Sequence, residues 1–353
     1  MARNEFPINY GMTAELIPLF KKELEFCKVK SDETVALFYD SRTNPHYPAA
    51  FVGAAMDIGA DVFGIQVPFF TQTTRKILRA ASDDVIPKNG PMQAMQAADI
   101  VIDLSTLGWL YTKVHNEVLA SGTRTLMVNN PPEILRRLLP EENVKRRALA
   151  GAEVLQKGKK LRMTSSAGTD LTLDKTGRKG VGQYGASDIP GRWDHWPSGQ
   201  CACAPVEGTA EGVLVLDIGD VILRLERYVS EPIRCIFENG KIVSIEGGLD
   251  AFMLREYFEA WEDEKAYIPA HIGWGTEHRA LWFELGLPGP GGGMDAESFY
   301  GDILFGIGAN YFVGLGGENV TQAHIDFCMR NCNFWVDDLQ VLENGDIIPE
   351  NLK

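Results

Sequence analysis

Short apolar runs alternate with helical patterns between residues 34 and 128, and this alternation restricts the fold more than any other feature of the sequence. The apolar runs cover residues 34–40, 61–67, 100–103 and 125–128. Helical patterns stand between them at about residues 49–59, 92–98 and 110–120. Strands that alternate with helices form βαβ units around a parallel sheet. We therefore predict an α/β N-terminal Rossmann-like domain over residues 1–150.

This predicted domain lacks a nucleotide-binding fingerprint. No G-x-G-x-x-G follows any of the apolar runs, and no Walker-type lysine is present. Those residues are what allow a backbone turn and a cation to approach a pyrophosphate. We expect the sheet to act as a scaffold and as one wall of a cleft.

The pattern changes after a charged, leucine-rich helical stretch at residues 132–158. Shorter apolar runs follow at residues 161–164, 169–173 and 213–216. The dipeptides Asn239-Gly240 and Asn344-Gly345 are strong signals for two-residue hairpin turns. We predict an α+β C-terminal domain over residues 151–353.

Two stretches of this second half are rich in glycine, residues 286–293 and 306–317. Glycine lets the backbone approach a ligand closely, although plain surface loops are the commoner explanation. We expect loops in both stretches.

Length and charge limit the class of protein further. At 353 residues the chain exceeds the size at which one hydrophobic core keeps growing, so two domains are expected. The 34 Lys+Arg and 48 Asp+Glu give a net charge of -14, which disfavours nucleic acid as a partner. Residues 1–20 lack the apolar core of a secretory signal, and no run has the length of a membrane span. We expect a cytoplasmic protein with no membrane partner.

The six cysteines lack the regular spacing of a secreted disulfide framework. The pairs Cys201-x-Cys203 and Cys328-x3-Cys332 leave a zinc site open as an alternative, although structural zinc sites usually have tighter paired spacings. Reduced thiols in or near hydrophobic cores are the simpler interpretation.

Two histidines and one aspartate are the candidate metal ligands. Such a set leaves three positions open on one face of an iron ion, enough for a substrate and dioxygen together. His324 and Asp326 are two residues apart, so in an extended segment both side chains point to the same face. His271 lies in AHIGWG, where two glycines leave room beside the imidazole and Trp274 offers an aromatic wall. A buried histidine satisfied by backbone hydrogen bonds remains the alternative for His271.

A second cluster is the segment GRWDHWPSG at residues 191–199, in which proline and glycine oppose a regular helix. Its tryptophans, Trp193 among them, can sandwich a flat ring, while Arg192 and His195 can meet the polar substituents of that ring. The structural alternative places the tryptophans in the core and pairs Arg192 with Asp194. The residues alone leave both possibilities open.

Several segments together resemble the 2,5-dihydroxypyridine 5,6-dioxygenase family. They are GRWDHWPSG (191–199), AEGVLVLDIGDVIL (210–223), HIGWG (271–275), FYGDILF (299–305) and TQAHID (321–326). Through this family the chain also resembles a superfamily that contains the metal-dependent aminopeptidases of thermophiles (leucyl aminopeptidase and aminopeptidase T-like enzymes) and an aromatic aminohydrolase. The segments follow one another in the same order through most of the second half, which is more specific than any one of them.

The resemblance implies an α/β N-terminal Rossmann-like domain plus an α+β metal-binding C-terminal domain. It implies a mononuclear Fe2+ held by His271, His324 and Asp326, with Mn2+ or Zn2+ less favoured and the second aminopeptidase metal absent. The implied reaction uses a small aromatic substrate and O2, and cleaves 2,5-dihydroxypyridine or a close analogue between ring carbons 5 and 6 to N-formylmaleamate. His195 is then the candidate for handling a proton or positioning oxygen. A homo-oligomer is also expected.

Two departures from the family bear on the substrate. Family members have a histidine after the third strand, whereas residues 103–111 contain none, and we predict that His115 nearby lies on the outer side of a helix. Family members carry an acidic residue where this chain has Gln183, and an amide can donate a hydrogen bond where a carboxylate only accepts. Both differences suggest a related ring as substrate. The expected substrate-binding residues are Gln183, Arg192, Trp193, Trp109 and Trp274.

Two other functions stay open at this point. A metal-dependent hydrolase for an aromatic amine or a peptide would use the same three ligands to activate water and would consume no oxygen. A non-catalytic binding protein with the inherited fold would carry no metal. Oxygen uptake and metal content discriminate between the three functions.

Overall fold

The computed structural model describes residues 10–69, 89–106, 108–286 and 293–353. Its α-helices are α1 Tyr10–Phe26, α2 His46–Ile58, α3 Gly90–Gln96, α4 Lys113–Ala120, α5 Pro132–Arg137, α6 Glu142–Lys157, α7 Leu249–Glu259 and α8 Met294–Ser298. Short 3-10 helices cover Leu223–Leu225, Glu264–Tyr267, Glu284–Gly286 and Glu350–Leu352.

The strands are β1 Thr34–Asp40, β2 Asp61–Val67, β3 Ile100–Asp103, β4 Arg124–Met127, β5 Lys160–Ser165, β6 Asp170–Asp174, β7 Gly180–Gln183, β8 Trp193–His195, β9 Gln200–Cys203, β10 Glu211–Leu216, β11 Val221–Ile222, β12 Arg227–Tyr228, β13 Ile233–Glu238, β14 Lys241–Glu246, β15 Pro269–Gly275, β16 Ile303–Gly308, β17 His324–Met329, β18 Cys332–Val336, β19 Leu339–Glu343 and β20 Asp346–Ile347. They form one parallel and two antiparallel sheets.

The parallel sheet has the order β2-β1-β3-β4-β8. The four apolar runs of the N-terminal half form β1 to β4, and the helical patterns between them form α2, α3 and α4. Strand β1 lies between β2 and β3, so the strand order reverses beside it. Ligands of open sheets bind outside the carboxyl ends of the strands near such a point. The predicted parallel sheet is confirmed.

Helices cover both faces of the parallel sheet. On one face α1 and α2 pack against β1, and the rings of Phe20 and Phe51 stack with centroids 4.1 Å apart. On the other face Met95 of α3 and Val118 of α4 pack with Phe38 of β1. The alternation between residues 34 and 128 does not predict α1, which precedes it.

Strand β8 completes the parallel sheet by pairing with β4. This strand comes from beyond residue 150, so the chain returns to the N-terminal sheet after the predicted domain boundary. His195 is level with Met127 at the carboxyl end of β4. Pairing of β8 with β4 therefore places part of the segment 191–199 at the edge of the sheet where ligands bind. The division at residue 150 stays a prediction.

Two antiparallel sheets form most of the second half. One has the order β14-β13-β10-β6-β5-β18-β19-β20, and the other has the order β12-β11-β17-β16-β15-β9-β7. Leu214 and Phe237 of the first sheet and Phe305 of the second belong to one hydrophobic core. A mixed α/β fold with a parallel sheet and antiparallel sheets is therefore the observed architecture.

Both predicted hairpins are present. Asn239 and Gly240 connect β13 to β14, and Asn344 and Gly345 connect β19 to β20. Each asparagine has a positive φ, 52° at Asn239 and 50° at Asn344. The left-handed conformation is the one that such two-residue turns require, and asparagine tolerates it.

Two local predictions need correction. Helix α4 begins at Lys113 and not near residue 110, because Thr112 caps it by accepting a hydrogen bond from His115 N at 3.1 Å. Residues 306–308 of the second glycine-rich stretch belong to strand β16 and not to a loop. Residues 287–292 of the first stretch lie outside the described residues.

Within the described ranges, no helix combines the length and the apolar character that crossing a membrane requires.

Candidate metal centre and its cavity

The predicted metal ligands lie on strands β15 and β17, which flank β16. Strand β16 pairs with β15 on one side and with β17 on the other. His271 of β15 lies opposite Gly306 of β16, which in turn lies opposite Asp326 of β17. His324 and Asp326 are two residues apart on β17, so their side chains share one face. Because Gly306 has no side chain, space remains between the two flanking ligand residues.

The three candidate ligand groups converge. Nε2 of His271 lies 3.1 Å from Oδ1 of Asp326, and Nε2 of His324 lies 3.3 Å from the same oxygen. One ligand atom from each residue lies within 4.8 Å of the others, and all three residues are buried. Among the residues that the structure describes, this is the one cluster of His, Cys, Asp or Glu with such an arrangement.

A hydrogen bond fixes the tautomer of His324. Its Nδ1 lies 3.0 Å from the carbonyl oxygen of Ala309, which can only accept, so Nδ1 carries the proton. Nε2 therefore presents its lone pair to Asp326. Burial lowers the pKa of His324, which favours the neutral imidazole that metal binding requires. A carbonyl behind a ligand histidine is a common way of orienting the ring.

Asp326 is held as a carboxylate. Burial alone would raise its pKa, but the positive charge that His324 and His271 carry in their protonated forms outweighs burial and holds that pKa well below its usual range. Among the described residues its buried Oδ1 has no hydrogen-bond partner, although two imidazole nitrogens face it. A divalent cation between these three atoms would be bound by the oxygen and by the nitrogen lone pairs. The donor set and this orphaned oxygen fit a divalent metal ion.

His195 lies in the wall of the same cavity and is only 3% exposed. Its Nδ1 lies 2.7 Å from the carbonyl oxygen of Pro197, so Nδ1 is the protonated nitrogen and Nε2 carries the lone pair. The hydroxyl oxygen of Ser198 lies 3.4 Å from Nε2. Burial lowers the pKa of His195. The neutral imidazole can therefore accept a proton within the cavity.

Two glutamines form a buried amide pair in the cavity wall. Gln183 of β7 and Gln200 of β9 are register partners, and Nε2 of Gln200 donates to Oε1 of Gln183 at 3.0 Å. Both residues line the cavity. Gln200 Oε1 has no hydrogen-bond partner among the described residues. The pair can thus offer amide N–H donors from Gln183 and one acceptor from Gln200 to a ligand.

Aromatic side chains form another part of the wall. The ring centroids of Trp193 and Phe312 are 5.6 Å apart, with an angle of 74° between the planes.

His115 is buried behind these two rings, and its Nε2 lies 2.9 Å from the Thr125 hydroxyl. The prediction that His115 lies on the outer side of a helix is wrong, because α4 buries the face that carries it. Burial lowers the pKa of His115 to about 3.

The cavity that these groups share has a volume of about 860 Å³. Residues near the carboxyl ends of β3 and β4, including Thr106, Met127 and Asn130, form its wall on the side of the parallel sheet. Small-molecule sites typically measure about 300–1,000 Å³. The cavity has room for an aromatic ring and a second small molecule beside the candidate metal ligands.

Glu297 of α8 also lines the cavity. Removal from water raises its pKa well above the ordinary value, and the negative charge of Asp326 raises it further, while Arg224 acts in the opposite direction. In its protonated form this carboxyl group can donate a hydrogen bond, which a carboxylate cannot.

Trp109 and Trp274, the two tryptophans outside segment 191–199 that were expected to bind substrate, do not line the cavity. Trp274 is three residues from His271 on β15, so it points to the opposite face and packs against Phe334 in the core. Trp109 is buried against Phe38 on the parallel sheet. The structure therefore places both rings away from the wall of this cavity.

Arg192 is also placed away from the cavity-lining residues. Its guanidinium lies 2.6 Å from the carboxylate of Asp194 and donates to the carbonyl oxygens of Gly182 and Ala186. On β8, Trp193 and His195 share one face, and the residues beside them point the other way. The structural alternative holds for Arg192, whereas Trp193, His195 and Gln183 do line the cavity.

Several cavity residues escaped prediction. Gln200 follows Pro197-Ser198-Gly199 directly, and its strand pairing with Gln183 is the signal that identifies it. Glu297 and Tyr111 have no neighbouring motif in the sequence. Their placement depends on how distant segments come together, which local patterns do not specify.

The cysteines do not form a second metal site in the described part of the chain. All six are buried and free of disulfides. The one candidate metal cluster contains none of them. The zinc alternative therefore has no support, and buried reduced thiols agree with the simpler interpretation.

The fold and the site define a mixed α/β protein with a candidate metal site, two histidines and a carboxylate, in the wall of a cavity. The family model for NicX, 2,5-dihydroxypyridine 5,6-dioxygenase, matches residues 15–349. The 2,5-dihydroxypyridine 5,6-dioxygenase of Pseudomonas putida strain KT2440 is 37% identical over 344 residues, covering 96% of this chain and 97% of the relative. The chain belongs to the 2,5-dihydroxypyridine 5,6-dioxygenase family.

A solved structure agrees with this assignment, and a second shares the fold. The 2,5-dihydroxypyridine dioxygenase from Pseudomonas putida KT2440 matches with a TM-score of 0.91 and 36% identity, covering 98% of this chain and 100% of that chain. AmpT from Thermus thermophilus matches with a TM-score of 0.53 and 14% identity, covering 97% and 100% of the two chains. The second likeness concerns the fold alone.

Proposed function

We propose that the chain is an Fe2+-dependent dioxygenase that cleaves 2,5-dihydroxypyridine, or a close analogue, between ring carbons 5 and 6 to give N-formylmaleamate. The convergence of His271, His324 and Asp326 on one buried point carries this proposal. The relative that is 37% identical has the same named activity. Family membership and the site chemistry thus support the same reaction.

His271, His324 and Asp326 would hold the metal ion through two imidazole nitrogens and one carboxylate. When bound, ferrous iron supplies open coordination positions and the redox chemistry that allows a hydroxylated ring to react with dioxygen. Two histidines with one carboxylate are the donor set of many non-haem iron oxygenases, and Mn2+ or Zn2+ are less favoured occupants.

His195 would act as the general base. Its Nε2 carries the lone pair, because Nδ1 donates to Pro197 O. A ring hydroxyl in the cavity can transfer its proton to Nε2, which leaves the ring more electron-rich. Burial lowers the pKa of His195, so the base is neutral at physiological pH and ready to accept this proton.

The Gln183–Gln200 amide pair would recognise the nitrogen-containing edge of the ring. A hydroxypyridine in its pyridone form presents an N–H donor and a C=O acceptor on adjacent ring atoms. Gln200 Oε1 can accept from the N–H, and Gln183 Nε2 can donate to the C=O. A carbocyclic ring lacks the N–H and would leave the buried Gln200 oxygen unpartnered, which costs about 1–3 kcal/mol.

The deciding experiment measures oxygen uptake by the Fe2+-loaded enzyme with 2,5-dihydroxypyridine and with hydroquinone, which has the same para hydroxyl groups but no ring nitrogen. We expect uptake matched one to one with loss of the pyridine, and a kcat/KM for hydroquinone that is lower by about 10–100-fold. Turnover of the pyridine without oxygen uptake would contradict the proposal and favour a hydrolase.

A further inference from the structure

The side chain of Tyr111 packs against a candidate metal ligand from the other half of the chain. Its ring centroid lies 4.6 Å from that of His324, with an angle of 42° between the planes. Tyr111 belongs to the connection between β3 and α4, whereas His324 begins β17. Tyr111 also lines the cavity. One wall of the candidate metal site therefore comes from the N-terminal half.

The backbone of Tyr111 adopts a conformation that disfavours tyrosine. Its φ is 65°, in the left-handed region where a β-carbon is crowded and glycine is the usual residue. A bulky residue persists there when the surrounding structure determines its position, and such strain tends to occur at functional sites. The strained backbone aims the Tyr111 ring at His324.

Anchors on both sides hold this connection in place. Trp109 is buried, and its side chain donates a hydrogen bond to Asp103 at the end of β3. The Thr112 hydroxyl donates to the carbonyl oxygen of Trp109 at 2.7 Å and accepts from His115 N at 3.1 Å. These contacts fix the chain immediately before and after Tyr111.

His324 needs this support because one hydrogen bond alone does not fix its ring plane. The Nδ1 contact with Ala309 O restrains one edge of the imidazole but permits rotation about that contact. The Tyr111 ring, tilted by 42° to the imidazole with its centroid 4.6 Å away, limits this rotation. We propose that Tyr111 is a positioning residue that holds the His324 imidazole in the orientation that binds the metal. The N-terminal half thereby contributes to metal affinity.

This inference rests on the proposed metal site but not on the substrate. Partners that orient ligand histidines typically contribute 10–100-fold to metal affinity. Removing the Tyr111 ring should therefore weaken metal binding about 10–100-fold, while removing only its hydroxyl should change it little.

The experiment titrates the metal-free full-length protein with Co2+ alone, following the visible absorption of the bound ion in competition with a chelator. The variants are Tyr111→Gly, which removes the ring and suits the positive φ, and Tyr111→Phe, which keeps the ring. Tyr311→Ala is the matched control, because that side chain is 39% exposed. Thermal unfolding of the metal-free forms shows whether each variant folds.

We expect Tyr111→Gly to fold normally and to bind Co2+ about 10–100-fold more weakly, with Tyr111→Phe and Tyr311→Ala close to the parent. Parent-like affinity in Tyr111→Gly would overturn the inference, as would an equal loss in Tyr111→Phe. Failure of the parent protein to bind Co2+ would instead contradict the proposed metal site itself, so the two failures are distinguishable.

Discussion

Gly306 lies directly beneath the imidazole of His271. A β-carbon built on Gly306 would lie 2.4 Å from His271 Nε2, closer than atoms can approach. The same glycine lies opposite Asp326 on the neighbouring strand. The absence of a side chain at position 306 is therefore a condition for His271 and Asp326 to approach each other.

The first prediction follows from this contact. Gly306→Ala should displace the His271 ring and lower the affinity for Co2+ or Fe2+ by at least about 10-fold. Equilibrium titration of the metal-free protein measures this loss. Gly90→Ala is the control, because a β-carbon there meets no atom within 4 Å. Equal metal affinity in Gly306→Ala and the parent would contradict the requirement for a glycine beneath His271.

The second prediction concerns the pH dependence of His195. Its pKa is lowered by burial, so the acidic limb of kcat/KM should lie below the ordinary histidine value of about 6.5. The base loses function as pH falls through its lowered pKa, since the protonated ring cannot accept a proton. His195→Gln should reduce kcat about 100–10,000-fold and remove this limb. A parent-like pH profile in His195→Gln would exclude His195 as the base.

A third prediction tests the amide pair. Gln200→Leu removes the acceptor and breaks the hydrogen bond to Gln183, so kcat/KM for 2,5-dihydroxypyridine should fall about 10–100-fold. The variant should discriminate less between this pyridine and hydroquinone. Gln340→Leu on β19 is a control for the loss of an amide side chain outside the cavity. Unchanged discrimination in Gln200→Leu would rule out recognition by this pair.

The fourth prediction concerns stability. Burial raises the pKa of Asp103 to about 7, so between about pH 4 and pH 7 the folded state keeps a proton that the unfolded chain has lost. The contribution of Asp103 to the free energy of unfolding should therefore decrease as pH rises through this range. Asp103→Asn should flatten that decrease in urea titrations. Asp61→Asn, at an exposed position, controls for the lost charge. If the free energy of unfolding of Asp103→Asn fell with pH as steeply as that of the parent, the raised pKa of Asp103 would be contradicted.

Strand alternation explains which site predictions hold. The i, i+2 spacing of His324 and Asp326 predicts a shared face, and β17 places both beside His271. Trp193 and His195 obey the same rule on β8 and both line the cavity. Trp274 is an odd number of residues from His271, so its burial in the core follows from the same geometry.

Other features depend on contacts that local sequence does not encode. The role of Gly306 requires the register of β15, β16 and β17, and the Gln183–Gln200 pair requires the register of β7 and β9. Tyr111 reaches His324 across more than half of the chain. Its strained backbone has no signal in the sequence, where glycine would be the expected residue.

The fate of isotopically labelled oxygen tests the proposed dioxygenase reaction directly. The Fe2+-loaded enzyme would be supplied with 2,5-dihydroxypyridine under ¹⁸O2, and the product analysed by mass spectrometry, with Asp326→Ala as the inactive control. We expect both labelled atoms to enter the product and Asp326→Ala to form none. Product that forms under nitrogen, or that takes its new oxygen from water alone, would contradict this reaction.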